Sequence, residues 1–409
     1  MNNPRINRRR FLDVATWLAG GAFVAPYLNS KALIASPALP VGLLLPAIDR
    51  QAGPGKQFAR GLQMGFTSAN RNVTLSTVDD CKTSSQAYEQ VLPLLKKGLR
   101  LFVWMSDSPI NPALTQRLAE HGAVLLMSGA GANLPRAVDD SPYVFYHSLG
   151  LWQGAWALGA WAAKNLGKRA SIISSFYDSG YDHLYAFQLG LENAGGELLR
   201  TRVTGLRSSD LADALTQLKH DRPDFAAPFY SSAASSSFLD AYTAAGLSSL
   251  PMAGSGFLAG GDGLAHASRA MGAYTALGWG SGVSGAQAWG FRSTYQRQMR
   301  VVPTAFDLLG YETAALIDAA YQRIDTGTAS GLSEAFRALQ VSSPRGALQL
   351  AKPWPMTSGA LYLRQARSVP GGLENMVLTP LPGPDYASAS IRAWRAALKT
   401  GFSSAYLCV

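Results

Sequence analysis

The sequence predicts two α/β lobes, each a doubly wound parallel sheet. Three observations carry this. At 409 residues the chain is too long for one compact core. From Leu39 onward, short apolar runs alternate with amphipathic segments, the signature of strand–helix–strand units. From Ala170 the same alternation begins again, which makes a second lobe the economical reading.

The clearest unit runs from Leu101 to Arg136. Leu101–Met105 is apolar, long enough for a buried strand and too short for a helix. Ser106-Asp107-Ser108-Pro109 follows, where Ser or Asp suits a helix cap and Pro a first helical position. Ala113, Leu114, Leu118 and Ala119 share one helical face, and Gly122 ends the helix. Ala123–Met127 is a second strand, followed by the small-residue loop Ser128–Asn133. Parallel strands joined by a helix place both loops at the carboxyl edge of a sheet, where open α/β sheets bind ligands.

Before this unit, Leu39–Pro46 is a strand, and Phe58, Leu62, Gly65 and Phe66 mark the buried face of a helix. Val73–Val78 is a strand closed by Asp79-Asp80, which reads as a strand-end turn, and Ser84–Lys97 is a helix. After it, Val144–Ser148 leaves the first lobe, and Leu151–Leu166 is a helix whose Trp152, Trp156 and Trp161 read as core. Strands at Ala170–Ser175, Leu198–Thr204, Ala226–Tyr230 and Leu250–Gly254 then alternate with helices at Leu184–Ala194, Leu211–Lys219 and Ser236–Ala245. Ala273–Gly280 is a strand-like return before helices Ala286–Gln298 and Phe306–Arg323. Ser333–Leu339 reads as a short helix, and Gly346–Leu350 and Leu361–Arg364 as a strand pair. Residues 366–385 are rich in Pro and Gly, and Ser388–Thr400 is a last helix.

The first residues read as an export signal. Arg8-Arg9-Arg10-Phe11-Leu12 resembles the twin-arginine motif, Val14–Leu28 is weakly apolar, and Ser30-Lys31-Ala32 offers a cleavage site. Residues 1–32 are therefore expected to be removed and the protein to reach the periplasm; a membrane-anchored N-terminal helix is the alternative. Cleavage deletes five bases and one acid, leaving 31 bases against 25 acids. These bases are scattered, so nucleic acid is not expected as a partner. Cys81 and Cys408 either pair or stay as two thiols.

Several motifs, in this order and spacing, resemble the type I periplasmic binding proteins of the leucine/isoleucine/valine-binding family, the soluble receptors of ABC importers. They are the opening VGLLLP with Gly53, Gly55 and Gly61; Ser108 followed by Ala113, Gly122 and LLMS; Asp178 to Gly180 with Gly195-Gly196; Gly310-Tyr311-Glu312-Thr313-Ala314; and Arg345-Gly346 before a strand. The resemblance covers residues 39–380. It implies an α/β fold of two doubly wound parallel-sheet lobes joined by three crossover strands, near Phe145–Ser148, Thr275–Gly280 and Ser342–Gly346. Lobe 1 is then 39–145 plus 280–342, lobe 2 is 146–275 plus 346–385, and 386–409 form a C-terminal helix and tail. It also implies a monomer that closes on a small-molecule ligand and delivers it to an ABC permease, with no cofactor.

Carried onto this sequence, the family pattern gives ligand contacts at Ser108, Ala130, Ala132, Tyr181, Tyr230 and Ser255. Ala132 stands where a Thr hydroxyl would meet a ligand carboxylate, and the loop Gly254-Ser255-Gly256-Phe257 lacks the acid that meets an ammonium; the first acid is Asp262. The expected ligand is an amino acid or an apolar or aromatic acid. Independently of the family, small-residue loops at a sheet edge expose N–H groups that suit anions. Ser108 could equally cap a helix, and Tyr181 and Tyr230 could pack within a lobe. The runs Gly280–Gly285 and Gly254–Ala259 fit dinucleotide-type glycine patterns but lack the acid and context, so both read as loops. No nucleophile elbow, metal-ligand spacing or phosphate loop occurs, and His147 reads as structural, so no catalysis and no metal are expected. The alternatives are a hydrophobic or aromatic ligand in the same fold, or a sensor or accessory subunit of an exported complex.

Overall fold

The computed structural model describes residues 38–46, 53–78, 81, 83–137, 140–205, 208–259, 270–337, 339–351, 354–369 and 372–397. The export signal, Asp79-Asp80, Asp262 and Cys408 lie outside the described residues.

The first sheet contains eight strands. Its parallel centre is β1 (Leu39–Leu44), β2 (Val73–Val78), β3 (Leu101–Trp104), β4 (Val124–Gly129) and β5 (Val144–Ser148). β3, β4 and most of β5 are buried, because strands covered by helices on both faces read as continuous apolar runs. Helices α1 (Pro54–Ser68), α2 (Ser84–Lys96) and α3 (Pro112–Glu120) connect the first four strands. Proline at the first position starts α1, and a reciprocal Thr83–Gln86 capping box starts α2.

After β5 the chain enters the second sheet through α4 (Leu151–Asn165). There β6 (Arg169–Ser175), α5 (His183–Asn193), β7 (Glu197–Thr204), α6 (Ser208–Asp221), β8 (Phe225–Phe229), α7 (Ser232–Ala244), β9 (Ala253–Gly254) and β10 (Tyr274–Leu277) continue the alternation. The order β7-β6-β8 is parallel, and a parallel bridge from Ala226 to Met252 joins it to β9. Trp152 is completely buried, edge-on to Trp394 at 5.5 Å, while Trp156 and Trp161 pack partly buried against the same core. Among the described residues no strand pairing joins the two sheets.

From β10 the chain returns to the first lobe with α8 (Ala286–Met299) and α9 (Ala305–Asp325). Thr304 and Asp307 form the capping box of α9. Helices α1 and α9 touch backbone to backbone: a Cβ on Gly61 would meet the Asp307 carbonyl, and one on Gly310 the Phe58 carbonyl. A second glycine pair, Gly159 and Gly190, brings α4 and α5 together in the same way.

The end of the chain departs from the sequence reading. The helix expected over Ser333–Leu339 is α10 (Leu332–Phe336), and Leu339 already begins β11 (Leu339–Ser343). β12 (Gly346–Ala351) pairs with β11 and with β13 (Met356–Ser358), not with Leu361–Arg364. Ser342–Gly346, expected to cross between lobes, therefore turns a hairpin inside the first sheet. The passage to the second sheet comes at Gly359-Ala360, between β13 and β14 (Leu361–Val369). β14 pairs with β10 and with β15 (Gly372–Leu381), so much of the Pro- and Gly-rich stretch is a long hairpin. Its strand residues Leu361, Leu363, Ala366 and Leu373 bury apolar side chains, and that outweighs the breaker composition. Finally α11 (Ala389–Ala396) docks through Ile391 and Trp394 onto the second core.

Candidate functional site

Both sheets direct loops from their carboxyl edges toward one another. On the first side are Met105–Ser108 after β3 and Ala130–Asn133 after β4. On the second are Phe176–Tyr181 after β6, Tyr230-Ser231 after β8 and Ser255–Phe257 after β9.

The two first-lobe loops are locked together by Asp107. Its carboxylate accepts the Gly131 N–H at 2.9 Å, and its carbonyl accepts from the Asn133 side chain at 2.8 Å. Gly129 makes this possible, since a Cβ there would collide with the Asp107 carboxylate. Burial pushes the Asp107 carboxyl above its ordinary value, opposed by the backbone N–H groups of Gly131, Ala132 and Ala130. Protein surrounds the carboxyl group, while the residue as a whole is half-buried. On its other side the loop is bound to α4: the Ala130 and Gly131 carbonyls accept from Leu151 N at 3.0 Å and Trp152 N at 2.8 Å.

Asn133 reaches across to the second lobe, its Oδ1 accepting the Asp182 N–H at 3.1 Å. Asp182 in turn accepts from Arg136 at 2.9 and 2.8 Å and from Leu134 N at 2.9 Å. Even so, burial raises its carboxyl to about 6. Asp178 accepts from the Ser175 and Ser231 hydroxyls and is also pushed up by burial. Tyr181 lies between the acids. Burial raises its phenol far above the usual range, with Tyr177, Asp107 and Asp178 adding to the effect. Its hydroxyl donates to Tyr177 Oη at 2.8 Å. Phe257 of the second lobe stacks on Phe306 at the start of α9, with centroids 5.4 Å apart.

The candidates from sequence fall into two groups. Ala130, Ala132, Ser108 and Tyr181 gather around Asp107. Ser108 does not cap α3; Asn111 does, accepting from Ala113 N at 3.0 Å, so the helix starts at Pro112. The Ser108 N–H donates instead to Ser106 Oγ at 3.0 Å. Tyr230 and Ser255 sit deeper. Tyr230 is 3% exposed, stacks on Phe238 at 4.5 Å and bonds Thr204 Oγ1 at 2.9 Å. Ser255 is 2% exposed and closes the turn after β9, its Oγ accepting the Phe257 N–H at 3.3 Å. Asp107, Phe257 and Phe306 were not selected from sequence. Asp107 was readable in principle: β3 and β4 pair in parallel, so the loops that follow them run side by side, and Gly129 is a small residue beside which an acid can turn inward.

Where the three passages between lobes converge, a separate buried cluster forms. Arg345 Nε donates to Glu312 at 2.9 Å and its NH2 to the Ser148 carbonyl at 2.7 Å. His147 lies 3.3 Å from Glu312 and 3.0 Å from Thr357. Burial alone would raise Glu312, but Arg345 and His147 outweigh it and hold the carboxyl below its ordinary value. Burial likewise depresses His147 despite Glu312. His147 is thus held in this buried cluster by Glu312 and Thr357.

Among the described residues no group of His, Cys, Asp and Glu is arranged to hold a metal ion. The fold is similar to an ABC transporter substrate-binding protein from Sphaerobacter thermophilus, with TM-score 0.77 and 22% identity over 85% of this chain and 98% of that one. It is also similar to a solute-binding protein of an ABC transporter from Rhodopseudomonas palustris solved with benzoate, with TM-score 0.71 and 24% identity over 87% and 99%. The Leu/Ile/Val-binding protein homolog 6 of Brucella abortus is 24% identical over 186 residues, which is 44% of this chain and 47% of that protein. The chain therefore spans about half the length of the curated relatives it matches. The model of the periplasmic binding protein family matches residues 38–372, nearly the whole of the two lobes, and the chain belongs to that family.

Proposed function

We propose that this protein is the periplasmic receptor of an ABC importer, holding a small solute with an apolar or aromatic body between its lobes and handing it to a permease without chemical change. The observation that carries this is the pairing of carboxyl-edge loops across the cleft: the Asp107–Gly131 loops on one side, Tyr181 on the other, and the Phe257–Phe306 stack bridging the two. Aromatic walls with a few placed polar groups suit a small organic ligand. The ligand surface in this reading includes Ser108, Ala130, Ala132 and Tyr181, while Tyr230 and Ser255 shape the second-lobe wall behind it. Export by the twin-arginine route, and action as a monomer, complete the proposal. An aromatic ligand is favoured over an aliphatic amino acid by the stacked phenylalanines and the tyrosines, and the similar fold solved with benzoate is consistent with that.

The test is a thermal-shift screen of single-ring and branched aliphatic solutes, followed by small-angle scattering of each hit. A binder should raise the melting temperature and compact the protein. A complete absence of stabilisation across the screen would remove the receptor reading.

A further inference from the structure

The N–H groups that a small-residue loop offers to an anion are the feature of this cleft most able to attract a ligand carboxylate. In this chain they are already in use. Gly131 N donates to Asp107, and the Ala130 and Ala132 N–H groups act on the same carboxylate. The arrangement is built in rather than incidental. Gly129 lacks the side chain that would push Asp107 away, and Asn133 holds the Asp107 backbone from the opposite loop. We propose that Asp107 is a specificity-determining residue, a resident carboxylate that fills the anion-binding loop and selects a ligand whose polar end is an amine or amide.

This rests on the receptor reading above and narrows it. A carboxylate offers about four acceptor positions. The Gly131 N–H takes one of them at Oδ1, and Asp107 as a whole residue is half-buried rather than enclosed, so an N–H donor entering between the loops has acceptor positions to compete for. A second carboxyl, Asp178, stands on the facing lobe, and both act on Tyr181 between them. Asp178 and Tyr181 find their side-chain partners in the hydroxyls of Ser175, Ser231 and Tyr177, and the nearby His183 ring is held neutral by burial. An incoming carboxylate would find the Gly131 N–H already taken and acceptor-bearing carboxyl groups on both sides. An ammonium or amide would find acceptors, with the tyrosine and phenylalanine faces around its body.

The experiment uses the full chain and matched probes sharing one body: benzoate, benzamide and benzylamine, then 4-methylpentanoate with its amide and amine. Titration calorimetry should give the amide or amine at least tenfold tighter binding than its carboxylate. Asp107→Ser, which frees the loop N–H groups, should reverse that order for the same body. Asp107→Asn keeps the shape without the charge and should lose the amine preference even if Asp107→Ser folds poorly. Wild-type protein that binds the carboxylates as well as their amides, or an order unchanged in both variants, overturns the role given to Asp107 and leaves the receptor reading standing. If neither wild type nor variants bind any probe, the receptor reading for such solutes falls, and this inference falls with it.

Discussion

Two carboxylates anchor this molecule, and they are treated in opposite ways. Glu312 at the hinge is completely buried, with Arg345 and His147 against it and the Ser148 carbonyl completing the guanidinium shell. Asp107 in the cleft has only amide N–H groups for partners among the described residues and is half-buried as a residue. The first cluster has its charge compensated from within, and its members come from β5, α9, the β11–β12 turn and β13. The second is compensated in part, which leaves it something to offer a ligand. A buried ion pair is weak evidence of net stabilisation, but breaking one is costly. A half-satisfied carboxylate in a recess makes better sense as a recognition group than as a brace.

The largest expected effect follows from that contrast. Glu312→Ala would leave the Arg345 guanidinium buried without its counter-ion, at a cost of about 3–5 kcal/mol. Asp107→Ala removes a carboxylate that burial already disfavours and whose hydrogen bond is the one from the Gly131 N–H, so stability should change by about 1 kcal/mol. Urea unfolding of both variants measures the difference. Equal losses would mean that Asp107 is a structural brace like Glu312.

The second effect separates the histidines of the two regions. His147 has Glu312 and Thr357 beside it, whereas neither ring nitrogen of His183, buried under Tyr181 and Phe229, has a hydrogen-bond partner among the described residues. Burial pushes the His183 imidazole down to about 3. In the unfolded chain it titrates near 6.5, so the folded state binds this proton less tightly. The stabilisation is whole above that pH and drains as the pH falls toward 3, at up to about 1.4 kcal/mol per unit. His183→Phe should flatten the acid limb of stability between roughly pH 6 and 4. An unchanged slope would show that the ring is already protonated or solvated in the fold.

Much of this architecture was legible from residues alone, and the reason is physical. Runs such as Leu101–Met105 and Ala123–Met127 are buried on both faces, so their composition announces them. The glycines of the α1–α9 contact were visible as Gly61 and Gly310, though not why they matter until a Cβ is seen to strike a carbonyl. The end of the chain was harder, because β15 is a half-exposed strand that begins at Gly372, holds Pro380 and is flanked by Pro370-Gly371 and Pro382–Pro384, a composition that mimics a loop. At the site, Ser108 was singled out and Asp107 passed over. Local spacing identifies a loop at a sheet edge; which of its side chains turns back onto the neighbouring loop depends on Gly129, 22 residues on.

The smallest effect tests the cleft against its own wall. Tyr181 and Tyr230 look alike in sequence, but Tyr181 is half-buried at the opening with its hydroxyl on Tyr177, whereas Tyr230 is stacked in the second-lobe core with its hydroxyl on Thr204. Removing either hydroxyl forfeits a hydrogen bond with a net worth of about 0.5–1.5 kcal/mol. Where that loss appears should differ. Tyr230→Phe should lower unfolding stability by about 1 kcal/mol and leave the ligand dissociation constant within about twofold, since Thr204 keeps the Ser174 carbonyl as acceptor. Tyr181→Phe should leave stability nearly unchanged and weaken the preferred probe severalfold, because both Asp107 and Asp178 act on its phenol and its hydroxyl bonds the exposed Tyr177. Calorimetry and urea unfolding on both variants read the four quantities. A severalfold loss of affinity in Tyr230→Phe would move that ring from the wall to the ligand surface, and would mean the recess extends past Asp178 into the second lobe.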